Sequence, residues 1–382
     1  QYHFTDPSYL NNVTLIAGWD DWGAPACGWP TVHYGVENWF NAEHGYNDVA
    51  TYFGPNDYDG CYADERIAVS VINYTAHCNE TVWGTPSLSA GGINRMKNEG
   101  LYPIAIGNCC ESSQFGYAEC IGESWVRADK KGAVCYIGSA PSTYWYEDEW
   151  WSVGAYHITG GNEGQTPSYG ETTMGSFDAM HESSYVSTGA LVYCGNLSVL
   201  EAVNHGWSDM ARYYWEAYNV LGDPSLIGYH TEGEPNSVSH EPIITIGTTH
   251  FTVEAQPGSF VAISKDGILH GSGLIGDNGI IDIEITPMEE NGLAKLVVTK
   301  PQGIPYIETL PVGQANQPFP MVIGHSGDPV NIGEATSNAI HIKNVGTDMS
   351  ETASITITSV LTSTSPVRIL TAIARRGLPR PS

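Results

Sequence analysis

Residues 72–110 decide how this chain folds: INYTAHCNE at 72–80, a short amphipathic segment, then LYPIAIGNCC at 101–110. Each end reads as a buried strand, over 67–75 and 101–107, that stops abruptly. The first strand delivers His77, and the second delivers Cys109 and Cys110. In open α/β sheets ligands bind just past the carboxyl ends of the strands. Two adjacent strand ends carrying an imidazole and a thiol therefore form a candidate cysteine–histidine site. A thiol attacks only as thiolate, and a neighbouring histidine takes its proton and later protonates the leaving amine. On this pattern Cys110 is the nucleophile and His77 the base and acid.

The flanking sequence, up to residue 229, repeats strand and helix. VTLIAG at 13–18 is an apolar run of strand length, and 32–45 has helical periodicity with a glycine stop. Helices are predicted at about 89–99 and 117–131, a strand at 133–139, and two helices near 185–205 and 208–220. PSTYWYEDEWWSVG at 141–154 reads as a Trp-rich loop. Repeated βα units of this kind imply a mostly parallel sheet covered on both faces. At EGEPN (232–236) the texture changes, and neither Cys nor Trp occurs beyond it. Residues 238–312 show short alternating strands between Gly, Pro, Asn and Asp turns, the pattern of a small antiparallel sandwich. GQANQPFP at 313–320 is a second linker. The remainder carries AIHIKNVG and ETASITITSV, a β-rich module that looks incomplete, and a tail RILTAIARRGLPRPS with no place in it. The expected domains are 1–230, 231–313, a linker at 314–322, and 323–382.

A length of 382 residues suggests two or three domains. The net charge is −27, with 7 basic and 27 acidic residues before position 230. Such a surface repels nucleic acid and anionic membranes and suits soluble extracellular life or cationic partners. There is no run of eighteen apolar residues to span a membrane, and the opening QYHFTDPSYL has no leader pattern. The chain is thus expected to be either cytosolic or a processed form, and the processed form fits the domain pattern better. All eight cysteines precede residue 195, too sparse for a disulfide scaffold and without zinc-site spacing. Cys120, Cys135 and Cys194 lie in apolar runs and read as core residues; Cys27 and Cys61, read as loop residues, are candidates to pair. Asn12, Asn73, Asn79 and Asn196 fit the glycosylation sequon. Asp57, Asp59, Asp64 and Glu65 offer oxygen ligands for a structural calcium, although a solvated loop is the simpler reading. His157, His181 and His205 lack metal spacing and read as structural.

The chain resembles the gingipains, caspase-like cysteine peptidases, and in particular their lysine-specific branch. The resemblance rests on LIAG followed by acidic residues, PTVHYG, NAEHGYNDV, INYTAH, AIGNCC, KKGAVCYIGSAPSTYWYEDEWWSVGA, ETTMGSFDA and YYWEAYNVLGDPSL, in order from about Val13 to Val312. SFVAISKDGILHGSG is similar to the immunoglobulin-like domain that follows the catalytic domain in that family. The resemblance implies a caspase-like α/β fold with Cys110 as nucleophile, His77 as general base and Asp20 as the carboxylate orienting it. Asp21 is the adjacent candidate, and the spacing to PTVHYG favours Asp20. Cys109 matches the thiol preceding the nucleophile. The oxyanion hole would be the backbone N–H groups of Cys110 and Cys78. Cys78 is a departure, since peptidases of this clan carry glycine there. Asp148 matches the aspartate that receives a substrate lysine and Thr75 a threonine lining that pocket; beside such a carboxylate, Trp145 is a candidate aromatic wall for the lysine methylenes. Glu147 and Glu149 flank the first of these.

The resemblance thus implies a secreted or cell-surface endopeptidase acting on protein or peptide substrates after lysine, with no cofactor required. Family catalytic domains begin with another α/β half upstream of the part matched by Val13, so that half or a homo-oligomer contact is an expected partner. The alternative is a scaffold without catalysis that serves in surface adhesion or assembly.

Overall fold

The structure, a computed structural model, describes residues 6–54, 56–182, 186–314, 320–327 and 338–344. It divides into two compact units: residues up to 235 with 301–304, and 236–300 with those from 305 onward.

The strands of the first unit, in chain order, are β1 (Asn12–Ala17), β2 (Asp48–Phe53), β3 (Val71–Thr75), β4 (Cys78–Asn79), β5 (Val82–Trp83), β6 (Leu88–Ser89), β7 (Ile104–Asn108), β8 (Cys135–Ser139) and β9 (Tyr218–Leu221). Its helices are α1 (Trp29–Asn38), α2 (Asp64–Ile67), α3 (Ala90–Ile93), α4 (Ile121–Arg127), α5 (Trp145–Val153), α6 (Ser176–Glu182), α7 (Thr188–Asn204) and α8 (Ala211–Ala217). One six-stranded sheet runs in the order β2-β1-β3-β7-β8-β9. All its pairings are parallel except that of β8 with β9.

The reason these segments form a parallel sheet is visible in their burial. β3, β7 and β8 are buried at every position, as strands covered on both faces must be. Alternate side chains serve opposite cores. Leu15, Val71, Ile106 and Ile137 pack with α1, α5, α6 and α7 on one face. Ile16, Ile72, Ala105 and Tyr136 pack with α4 and the β4–β5 hairpin on the other. On that second face Trp83 stacks on Tyr74, with ring centroids 4.8 Å apart, and its indole N–H donates to the Tyr136 hydroxyl at 2.9 Å.

Several expected elements are displaced for local reasons. The strand expected over 101–107 begins only at Ile104, because Pro103 offers no amide to the ladder. The strand expected over 67–75 begins at Val71, behind the helical turn α2. The helix expected over 89–99 is the single turn α3, since Gly91 and Gly92 weaken helix. The helix expected over 32–45 starts earlier, at Trp29, with Pro30 in its first turn. α4 is shorter than the expected 117–131 and opens on a capping box of Cys120 and Glu123. The Trp-rich segment expected as loop is the helix α5, whose Trp150 and Trp151 are buried. The last expected helix stops at Ala217, and the chain continues as the edge strand β9.

The second unit contains β10 (Ser239–His240), β11 (Ile244–Thr245), β12 (His250–Glu254), β13 (Phe260–Lys265), β14 (Ile268–Leu274), β15 (Ile280–Glu284), β16 (Gly292–Thr299), β17 (Tyr306–Gly313), β18 (Pro320–Gly327) and β19 (Asn338–Asn344). A three-stranded sheet β10-β12-β15 and a five-stranded sheet β11-β17-β16-β13-β14 share one apolar core of Phe251, Val253, Ile263, Ile283, Leu296 and Val312. β18 and β19 pair antiparallel. The segment ETASITITSV and the tail RILTAIARRGLPRPS lie outside the described residues, as does most of the linker expected at 314–322.

Candidate active site

Parallel strands β3 and β7 stay in register from Val71 opposite Ile104 to Thr75 opposite Asn108. Just past this last rung the chain supplies His77 on one side and Cys110 on the other. Both line a single cavity of 360 Å³, together with Trp22, Thr143, Tyr144, Trp145, Glu147 and Asp148.

His77 rests on the hairpin that follows β3. Its carbonyl accepts the Tyr74 hydroxyl at 2.8 Å and the Gly84 amide at 2.9 Å. Its Nε2 meets Asp20 Oδ2 at 2.8 Å, which leaves Nδ1 as the nitrogen available to a thiol. Asp20 is fixed in turn, since its Oδ1 accepts the amides of Trp22 at 3.0 Å and Ala24 at 2.8 Å. Burial works to raise the Asp20 carboxyl, but these two amides and then His77 outweigh it and hold the group below its ordinary value. Asp20, and not its neighbour Asp21, thus contacts the imidazole.

Cys110 is half-buried, and the Thr143 amide points at its sulfur at 3.3 Å. A donor so placed serves the thiolate once it forms. Glu111, the next residue, is held at φ 59°, a left-handed conformation uncommon for a residue with a Cβ. Its amide donates to the Pro141 carbonyl at 3.0 Å. This tight turn follows directly on Cys110, just past the end of β7.

Asp148 sits in the first turn of α5 with 5 % of its surface exposed. Three hydroxyls converge on it: Thr143 at 2.6 Å on Oδ2, and Tyr214 at 2.9 Å and Tyr218 at 2.8 Å on Oδ1. A carboxylate offers about four acceptor positions, so one on Oδ2 remains for a cation. Burial pushes the Asp148 carboxyl up to about 7, against the lowering effect of Thr143, Tyr218 and Tyr214. Glu147 also faces the cavity and accepts the Ser208 hydroxyl at 2.6 Å. Glu149 does not. It is buried on another side of the helix, bonded to the Tyr156 hydroxyl, and burial pushes it up to about 8.

Trp145 lines the cavity and meets His77 edge-on at 5.3 Å. Its indole lies so close to Gly23 that a Cβ there would come within 2.1 Å of the ring. Thr75 is not among the lining residues. It is buried in the sheet, where Asn73 donates to its hydroxyl at 2.9 Å. Thr143, Tyr214 and Tyr218 were not foreseen from sequence. Tyr214 and Tyr218 lie 66 and 70 residues from Asp148, and no local pattern marks such partners.

The cysteines correct one expectation. Cys27 and Cys61 are both buried and unpaired, and the disulfide is Cys78 with Cys109. Cys78 is in strand β4 and is not among the described residues at positive φ, so its backbone makes no demand for glycine. His77 and Gly84 form the hydrogen-bonded pair of the hairpin. Cys78, next along, forms the alternate pair with Trp83 and turns its N–H away from β5. Of the four sequons, Asn73 and Asn196 are buried and cannot carry a glycan in the folded chain. Among the described residues, no group of three or more His, Cys, Asp or Glu side chains converges as metal ligands would. No helix among them is long and apolar enough to cross a membrane.

Comparison with known proteins matches residues 2–227 to Peptidase family C25. Lys-gingipain of Porphyromonas gingivalis (strain ATCC 33277) is 40% identical over 320 residues, 82% of this chain and 18% of that protein. The chain thus spans under a fifth of the length of this curated relative. A solved structure described as "Structure of Protease" superposes with a TM-score of 0.76 at 39% identity, covering 81% of this chain and 68% of that one. The crystal structure of the Arg specific cysteine proteinase gingipain R superposes with a TM-score of 0.65 at 19% identity, again over 81% and 68%. At that identity the second match speaks to the fold alone.

Proposed function

The chain belongs to Peptidase family C25, the gingipain family of cysteine peptidases, and from that premise we propose that it is an endopeptidase cleaving after lysine with Cys110 as nucleophile. The observation that carries this reading is the one cavity lined by Cys110, His77 and Asp148.

The substrate lysine threads its methylenes past Trp145 and brings its ammonium to Asp148 Oδ2. Its carbonyl carbon then lies at Cys110. His77, oriented through Nε2 by Asp20, takes the thiol proton on Nδ1. The Cys110 sulfur adds to the carbonyl, and the oxyanion is met by the backbone N–H groups of Cys110 and Cys78. His77 returns the proton to the leaving amine, and water, activated by the same imidazole, releases the acyl product. No cofactor is needed for any step.

Secretion or surface display suits the same reading. A structural disulfide is a mark of oxidising compartments, and the chain is strongly acidic. We take the two-sheet unit after residue 236 as an immunoglobulin-like module. The α/β half that precedes the catalytic part in this family is the expected protein partner.

The test is turnover of paired lysyl and arginyl fluorogenic peptides in a mild monothiol. Hydrolysis of the lysyl peptide, weak hydrolysis of the arginyl one and loss of both in Cys110→Ala are expected. A folded wild type that leaves both peptides intact overturns the proposal and leaves the inert scaffold.

A further inference from the structure

The residue after the proposed base is covalently tied to the residue before the proposed nucleophile: Cys78 follows His77, Cys109 precedes Cys110, and the two sulfurs form the disulfide. The location of this tie matters. The ladder between β3 and β7 ends at Thr75 and Asn108. Beyond that rung the arms diverge, one into the β4–β5 hairpin and the other into the left-handed turn at Glu111. The disulfide joins them where backbone pairing has stopped. Its Cys109 end is fully buried in the core built around Trp83 and Tyr136, and its Cys78 end is half-buried against that core. The Cys78 sulfur, which has no proton to donate, also lies 2.8 Å from the Cys110 carbonyl oxygen.

The segments so joined carry the two N–H groups assigned above to the oxyanion. An oxyanion hole works by holding its donors in place before charge develops, and an error of about 1 Å in such a site costs about 100-fold in rate. We propose that the Cys78–Cys109 disulfide is a positioning clamp for the oxyanion hole, so that turnover requires this pair oxidised while Cys110 remains a free thiol. The inference rests on the peptidase reading. It also gives the cysteine at position 78 a task. Opening the clamp is a thiol–disulfide exchange: a dithiol such as dithiothreitol gives up two electrons and two protons, becomes a cyclic disulfide, and leaves Cys78 and Cys109 as thiols.

The test compares wild type, Cys78→Ala, Cys109→Ala and the double variant, each titrated for active sites with a lysyl chloromethyl ketone. A clamp lowers kcat about 100-fold in each single variant, changes KM for the lysyl peptide less than about twofold, and makes the double variant no worse than the singles, because all three lose the same bond. Dithiothreitol lowers wild-type kcat to the same level as the cysteines alkylated after unfolding in denaturant rise from six to eight, and leaves the kcat of the double variant unchanged. This reversible arm holds even where a substitution impairs folding. Variants with wild-type kcat and only a lower melting temperature overturn the clamp while leaving the peptidase standing. A wild type inert to both peptide and chloromethyl ketone overturns the peptidase reading and the clamp with it.

Discussion

At the scale of single residues, Asp148 ties recognition to protonation. Burial, against three donated hydroxyls, holds its carboxyl at about 7, whereas the ammonium of the proposed lysine substrate would bind the carboxylate. Below that value binding must also expel a proton. KM for a lysyl peptide is therefore expected to rise about tenfold per pH unit as pH falls well below 7, and to level off above it; a pH series of kcat and KM on lysyl peptide checks this. Asp148→Asn keeps the shape and loses the counter-charge, so kcat/KM for lysyl peptide should fall by about 100-fold or more with the fold intact. Asp20→Asn should act on the other parameter, lowering kcat by about 100-fold or more with KM nearly unchanged, since general base catalysis contributes on that order. An unchanged kcat would remove Asp20 from its place behind His77.

At the scale of elements, the first turn of α5 and the Trp22–Ala24 segment meet at Gly23, where a Cβ would enter the Trp145 ring. Gly23→Ala should displace that indole and raise KM for lysyl peptide several-fold while the far side of the sheet is untouched, as steady-state kinetics would show. The disulfide closes a separation of 31 residues, for which chain entropy alone predicts a loss of about 3.7 kcal/mol in Cys109→Ala by denaturant unfolding. The strands that carry the site were legible in the sequence because short, mostly apolar runs such as VINYT and IAIGN, with no charged residue on either face, suit a doubly covered sheet. The helix α5 was not, because Trp and Tyr have middling helix propensity and packing of Trp150 and Trp151 decides the matter. Nor was the Cys78–Cys109 pairing. Spacing along the chain does not reveal which strand ends become neighbours, and the two loop-like cysteines, Cys27 and Cys61, were buried and separate.

At the scale of the whole molecule, buried ionisable groups set the pH window of stability. Burial lowers His181 to about 4 and His230 to about 3, and among the described residues neither ring nitrogen of His230 has a hydrogen-bond partner. Both are neutral in the fold and take a proton more readily when unfolded. Their contribution is present above pH 6.5 and is lost as pH falls through 4 and 3. Buried Asp178, Asp148 and Glu149, held at about 6, 7 and 8 chiefly by burial, act in the opposite sense. Their ionisation opposes folding as pH rises through those values. The unfolding free energies of wild type and His230→Gln, from denaturant titrations, should thus converge as pH falls from 6.5 to 4, by a few kcal/mol at most. The covalent bridge between residues 78 and 109 has one more consequence, which concerns integrity. Lys97 lies inside the span it closes, with 79% of its side chain exposed. A molecule nicked after Lys97 by a sister copy would still hold its two halves together, migrating as one band on a non-reducing gel and as two once the bridge is opened.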